Sequence, residues 1–337
     1  MKVLALGEVM MRLMVPDHKL LSQSEDLKYI FSGTGVNILS GLYQMGYETY
    51  LASKLPNNNV GYAASAYLRK LGVKDDYINF GGDYIGIYFL ETGFGPRATE
   101  VTYMNRQNSA FCQSSIEDYN FDEILQDVDA VHICGISLAL NDNTRKLSIN
   151  LAKKAYEKNI KVFFDFNYRP SLWGDKDYSF SRIQYEEILK YCTVVFAGYK
   201  DARLILGMEP DKDEKEENIS RNVLLKMRSK YNIQTICGTN RRIQSSEHQY
   251  IKGYLIDHKG YHESSEYELK VLDRIGAGDG FAAGIIYSIL ENLDRSEALE
   301  FATCSAVLAH TTYGDSPVVG KKSIYRLMKK DKTDIFR

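Results

Sequence analysis

The feature that most limits the fold of this chain is a recurring alternation. Short apolar runs rich in β-branched residues, at 2–6, 49–53, 130–134, 161–166, 193–196 and 235–237, read as strands. Between them, residues 36–46, 60–72, 143–158 and 218–231 carry apolar side chains at helical spacing. That is the pattern of a mostly parallel sheet joined by crossover helices, and the expected fold is a three-layer α/β/α sandwich. Gly46 and Gly72 stand where helices should stop, since glycine adopts the left-handed conformation readily. From Asp279 onward the pattern is helical, broken only by a loop over 310–319.

Two regions break the alternation. Residues 9–32 and 83–104 contain alternating or aromatic-rich stretches such as IGIYFL with no helix between them. They read as a small β lid inserted into a main α/β domain made of 1–8, 33–82 and 105–337. No tandem repeat or low-complexity linker separates the two. The acidic run 211–217 reads as a solvated turn entering a helix whose N-terminus favours negative charge.

Composition narrows the function classes. A chain of 337 residues with 44% hydrophobic positions can bury a large core. Lys and Arg total 42 against 44 for Asp and Glu, with no basic stripe interleaved with aromatics, so a nucleic-acid partner is not expected. Cys112, Cys134, Cys192, Cys237 and Cys304 are odd in number and never arranged as CxxC, which fits reduced core thiols in a cytoplasmic protein. Glu8 interrupts the apolar opening MKVLALGE, and no later run is long enough to span a bilayer, so no export or membrane segment is expected. The six histidines show no metal-binding spacing and read as structural or exposed.

The stretch VLDRIGAGDGF, residues 271–281, joins a strand to a helix. A small-residue turn feeding a helix leaves backbone N–H groups unpaired at the positive end of the helix dipole, which makes an anion site. An acid beside a bound phosphate is paradoxical unless it handles a proton. In phosphoryl transfer to an alcohol, a positioned Asp accepts the hydroxyl proton. Asp279 is thus either a general base or simply a cap for its helix. No GxxxxGK[ST] motif is present, and GTGVN at 33–37 lacks the third glycine of a dinucleotide fingerprint, so a P-loop enzyme and an NAD enzyme are disfavoured.

With LDRIGAGDGFAAG in place, the chain resembles the ribokinase-like (pfkB) carbohydrate kinases over nearly its whole length. LALGEVMMRLMVP is similar to the opening of members acting on 2-keto-3-deoxygluconate and fructose, and SGTGVNILSGLYQMG to the glycine signature that faces the sugar. GIYFLETG and VTYMNRQNSA resemble the lid strands and the arginine segment after them, and DFNYRPSLW a strand end of the acid-sugar and fructose kinases. Arg274, inside DRIGAGD, points toward the 2-keto-3-deoxygluconate branch.

The resemblance implies an ATP-dependent and Mg2+-dependent sugar kinase with Asp279 as base and Gly276, Ala277 and Gly278 as the anion hole. It implies that Gly33, Gly35 and Asn37 meet sugar hydroxyls, because a glycine-lined backbone lets a polyol come close. Tyr88, Tyr103 and Arg106 would close the lid side, with Asp315 near the sugar. Arg106 and Arg169 would serve a substrate carboxylate through their planar forks. For either arginine a surface ion pair is the plainer alternative, and for the tyrosines lid packing. Asn167, Gly238, Thr239, Asn240 and Arg241 would sit near the nucleotide.

Departures from the family pattern fall at three places. Ser32 precedes Gly33 where two glycines are usual, Asn105 precedes Arg106 where an acid or aromatic is usual, and FAGYKDA at 196–202 replaces an Asn-x-x-Glu motif tied to magnesium, leaving Asp201 as the local acid. The expected substrate is 2-keto-3-deoxygluconate, with fructose or another ketose as the alternative. A catalytically weakened sugar-binding or regulatory protein is a further alternative. Pairing of lid edges could make a homodimer or larger homo-oligomer.

Overall fold

Each apolar run forms a strand because it has side chains to bury on both faces. In Lys2–Leu6, Val3 and Ala5 enter one hydrophobic cluster while Leu4 and Leu6 enter another. The computed structural model describes residues 1–174, 176–211, 214–244 and 248–330. It sets this strand inside an eleven-stranded sheet. On one side it pairs in parallel with Glu48–Leu55, which in turn pairs with Val73–Lys74 and Ile78–Phe80. On the other side follow Ala130–Cys134, Lys161–Asp165, Val194–Phe196 and Thr235–Ile243, all parallel. Strand order therefore reverses beside the first strand, and such a reversal opens a crevice at the carboxyl ends of the strands.

Helices cover both faces. Thr34–Gln44, Ala277–Leu290 and Arg295–Ala309 contribute to one cluster, and Asp142–Glu157, Tyr178–Leu189 and Glu216–Lys230 to the other. This is the expected α/β/α sandwich. The first two crossover helices end where expected, with Gly46 and Gly72 at φ +98° and +84°. Of the acidic run, residues 212 and 213 lie outside the described residues, while Glu216 and Glu217 occupy the first turn of their helix. Among the described residues no helix is long and apolar enough to cross a membrane. All five cysteines are free and buried.

The sheet runs further than the apolar runs indicate. The strand expected at 235–237 continues to Ile243, and Gln249–Asp257, Gly260–Glu263 and Tyr267–Leu269 add an antiparallel edge. After Gly238 the strand is TNRRI, exposed at every position, so no apolar run marks it. The ladder to Gln249–Asp257 holds it in place instead.

A second sheet holds four strands in the order Lys28–Ser32, Met10–Met14, Gly86–Glu91 and Glu100–Met104. All come from the two segments read as the lid. Its outer pairings are antiparallel and its central pairing is parallel. Met10, Tyr88 and Leu90 bury on its inner face beside Ile275 of the glycine-rich turn. The strand Glu100–Met104 is exposed throughout.

Candidate active site

At the carboxyl ends of the parallel strands lies a cleft of about 1040 Å³. Gly33, Gly35 and Asn37 reach it from the start of Thr34–Gln44, and Tyr88, Tyr103 and Arg106 from the second sheet and the turn after it. Asn167 and Arg169 follow the strand Lys161–Asp165, and Gly238, Thr239, Asn240 and Arg241 lie on the strand Thr235–Ile243. Gly276, Gly278 and Asp279 open the helix Ala277–Leu290, and Asp315 comes from the loop after Arg295–Ala309. Of the site residues expected from the sequence, Ala277 alone does not line the cleft.

Asp279 is the third residue of its helix and not its cap. The cap position is Gly276, at φ +86° and with no side-chain bond to the helix. The Asp279 carboxylate instead accepts a hydrogen bond of 2.7 Å from Asn37 Nδ2. Asn37 Oδ1 in turn accepts from Ser316 Oγ at 2.9 Å, which fixes the amide orientation. Asn37 is therefore more than a polar residue in the first turns of a helix. Burial raises the Asp279 pKa well above the ordinary value, with Asp165 adding to the rise and the Asn37 bond opposing it. The first backbone bond of the turn runs from Gly280 N–H to Gly276 C=O at 2.9 Å. The N–H groups of Ala277, Gly278 and Asp279 precede it and have no helical acceptor.

The glycines serve different ends. A Cβ at Gly276 would lie 1.7 Å from the Asp315 carbonyl oxygen, and one at Gly33 would lie 2.2 Å from that of Glu8. At Gly35 the neighbours are Ala5 and Leu51 side chains, both at 3.2 Å. Close packing of the chain against itself already requires glycine at Gly33 and leaves little room for a Cβ at Gly35, and both also line the cleft. At Gly278 a Cβ would meet nothing, so this position alone leaves its space to the cleft.

Two further acids stand at the strand ends. Burial, followed by the charge of Asp201, pushes the Asp165 carboxyl up to about 7. Burial also raises Asp201, whose carboxylate accepts from Gly198 N–H at 2.7 Å. Asn167, at φ +38°, donates to Asp165 from both its backbone and its side chain. The exposed guanidinium of Arg169 opposes the rise at Asp165, Asp201 and Asp279 alike.

On the lid side, Arg106 is no surface residue. It is 9% exposed, its Nε donates to Glu8 Oε2 at 2.8 Å, and it stacks on Tyr103. Glu8 thus compensates one of the two arginines expected to meet a carboxylate. Asn105 takes the left-handed conformation at φ 58°, which asparagine tolerates. Arg12, 1% exposed, pairs with Asp273 at 2.7 Å and with Asp315. The Tyr88 hydroxyl also donates to Asp315 and lies 3.1 Å from Ser32 Oγ, so the serine in place of a second glycine joins this network.

Comparison with known proteins decides the family. Residues 1–320 match the pfkB family of carbohydrate kinases. The chain belongs to that family. Among solved structures, a 2-keto-3-deoxygluconate kinase candidate from Enterococcus faecalis is 43% identical, with a TM-score of 0.94 over 100% of this chain and 98% of its own. The 2-dehydro-3-deoxygluconokinase from Thermotoga maritima is 34% identical, with a TM-score of 0.92 over 98% of both chains. The 2-dehydro-3-deoxygalactonokinase of Haloferax volcanii is 26% identical over 97% of this chain and 96% of its own.

Two cleft residues of this pfkB kinase, Glu8 and Asp165, and two buried residues that do not line the cleft, Arg12 and Asp273, escaped the sequence reading. Arg12 and Asp273 become partners only when the second sheet folds onto the turn, 261 residues apart in the chain. A charged residue between Met10 and Met14, on the inward side of an alternating strand, was the available signal for Arg12. Glu8 was read only as the residue that interrupts the apolar opening. Asp165 was quoted within DFNYRPSLW, but an acid at a strand end carries no mark of the acids that will face it.

Proposed function

We propose that this kinase transfers the γ-phosphoryl group of ATP to the terminal hydroxyl of 2-keto-3-deoxygluconate, giving the 6-phosphate. The observation that carries the reading is the Asp279–Asn37 pair at the start of a helix whose glycine turn lines the cleft. The raised pKa makes Asp279 a stronger base than an ordinary carboxylate. It accepts the hydroxyl proton as the sugar oxygen bonds phosphorus and the bond from phosphorus to the β-phosphate oxygen breaks, releasing ADP. Asn37 keeps the carboxylate aimed. The N–H groups of Ala277, Gly278 and Asp279 stabilise charge on the moving phosphoryl group.

The sugar side is assigned to Gly33, Gly35, Asn37, Tyr88, Tyr103 and Asp315. Arg169 meets the carboxylate, assisted by the terminal nitrogens of Arg106. Asn167 and the strand from Gly238 to Arg241 take the nucleotide. Among the described residues no three His, Cys, Asp or Glu are grouped to hold a metal. Asp165 and Asp201 are two adjacent acids held above their ordinary pKa, a pair that favours a cation. This suits magnesium, which takes one or two carboxylates together with phosphate oxygens and water. Bound there, Mg2+ would neutralise phosphate charge.

ADP release in the presence of ATP and Mg2+ tests the reading, with 2-keto-3-deoxygluconate, 2-keto-3-deoxygalactonate, fructose, ribose and gluconate compared at equal concentration. The keto-deoxy acid should be preferred, Asp279→Asn should lower kcat by about 10²- to 10⁴-fold, and ATP hydrolysis without sugar should stay slow. Preference for fructose would keep Asp279 as base and remove Arg106 and Arg169 from carboxylate binding. The replaced Asn-x-x-Glu motif favours the second reading, a weakened sugar-binding protein, and no turnover with any of the sugars would bring it forward.

A further inference from the structure

One corner of the cleft carries positive charge that no acid among the described residues meets. Arg241, on the strand Thr235–Ile243, and Arg274, two residues before Gly276, both line the cleft wall. Each donates from Nη2 to one shared acceptor, Gln249 Oε1, at 2.8 and 3.4 Å. Gln249 is itself buried, at 2% exposure. Among the described residues neither arginine has an ion-pair partner. Asp273, next to Arg274 in sequence, is engaged elsewhere, by Arg12 and by the N–H groups of Ile275 and Gly314.

The remaining neighbour brings no counter-charge. His310 is 2% exposed and bonded through Nδ1 to the Ala306 carbonyl. Burial and the two guanidiniums hold its pKa below the ordinary value, so the imidazole stays neutral. Burial and the charge of Arg274 likewise lower Arg241. Two like charges sharing one neutral oxygen repel each other, and an anion between them relieves that repulsion while filling the remaining donors of both forks.

We propose that Arg241 and Arg274 form a clamp for the diphosphate of the nucleotide, the two phosphates that remain on ADP. The inference rests on reading the cleft as an ATP site. Three features favour a diphosphate over the sugar carboxylate. Arg241 continues the strand from Gly238 to Asn240 that is assigned to the nucleotide. Arg274 adjoins the turn whose free N–H groups suit the transferring phosphoryl, so its reach covers the neighbouring phosphate. Two forks also match a group with several oxygens on two centres better than a single carboxylate. As the bond to the β-phosphate oxygen breaks, negative charge grows on that oxygen, where a paired guanidinium stabilises it.

Full-length Arg241→Gln, Arg274→Gln and the double variant, titrated with Mg2+ and ADP by calorimetry, test the clamp. Each single change should weaken ADP binding on the order of tenfold and the double change on the order of 100-fold or more. KM for ATP should rise in parallel while KM for the sugar changes by less than about twofold. The Arg241→Lys/Arg274→Lys variant keeps the charge without the fork and should recover only part of the affinity. Unchanged ADP affinity in a double variant with the wild-type unfolding temperature would overturn the clamp. So would a raised sugar KM with ADP binding intact, which would move the pair to the substrate carboxylate. Should the glutamine pair fail to fold, the lysine pair decides, and undiminished ADP affinity there refutes the fork. Wild-type protein that binds no ADP would sink the kinase reading itself, which separates the two failures.

Discussion

Asp165 and Asp279 face one cleft, and burial pushes both carboxyls upward. For Asp165 the folded value is about 7, against about 3.9 for an unperturbed Asp. Between those values the folded protein binds a proton that the unfolded chain has released. Stability is therefore fully present below about pH 4 and is lost as pH rises toward 7. Asp165→Asn removes this burden and should raise the unfolding temperature of the ligand-free protein at pH 7 more than at pH 4. Thermal scans at the two pH values check it, and an equal shift at both would show that the carboxyl is not perturbed. Asp279 was legible in the sequence because its motif is local. Asp165 was not, because its perturbation depends on Asp201, 36 residues away, and on burial that no local pattern reveals.

The glycine-rich turn and its helix act as one element, yet their glycines should respond differently to the same substitution. Gly276→Ala places a side chain at φ +86° and within 1.7 Å of the Asp315 carbonyl oxygen. The left-handed conformation alone costs about 1–2 kcal/mol, and the backbone contact adds to it. Stability and activity should fall together. Gly278→Ala meets no protein atom, and alanine improves a helix by about 1 kcal/mol. The new methyl group nevertheless projects into the cleft, so kcat/KM for ATP should drop while the unfolding midpoint holds or rises. Urea unfolding and steady-state kinetics on the two variants separate the roles. The motif made this element visible in the sequence. The strand Thr235–Ile243 was visible only as far as Cys237, since TNRRI is exposed throughout, Ile243 included, and takes its conformation from backbone pairing.

At the scale of the molecule, the second sheet is tied to the rest of the chain by a buried ion triad. Arg12 meets Asp273 of the turn and Asp315 of the loop after Arg295–Ala309, and Tyr88 joins at Asp315. Two acids against one guanidinium leave the cluster short of positive charge, so removing Arg12 exposes each acid to the full cost of burial without a partner. Arg12→Met should destabilise the protein by about 3–5 kcal/mol, and Arg12→Met/Asp315→Asn by less. Denaturant unfolding of both variants measures the difference. Equal losses would mean that Asp315 draws nothing from the pair. Through the same triad, a displacement of the second sheet bears directly on the turn that precedes Asp279.

The sequence by itself determined the layered α/β sandwich, the two segments of the small sheet and many of the residues that line the cleft, though not Glu8 or Asp165. Apolar periodicity and glycine turns are local properties, and local properties are written in consecutive residues. Tertiary structure alone decided which charges are balanced. Glu8 compensates Arg106, Asp273 and Asp315 share Arg12, and Arg241 and Arg274 share the amide of Gln249. Most of these relations join residues distant in the chain, and their strength depends on burial and orientation that exist only once the sheets and helices have packed.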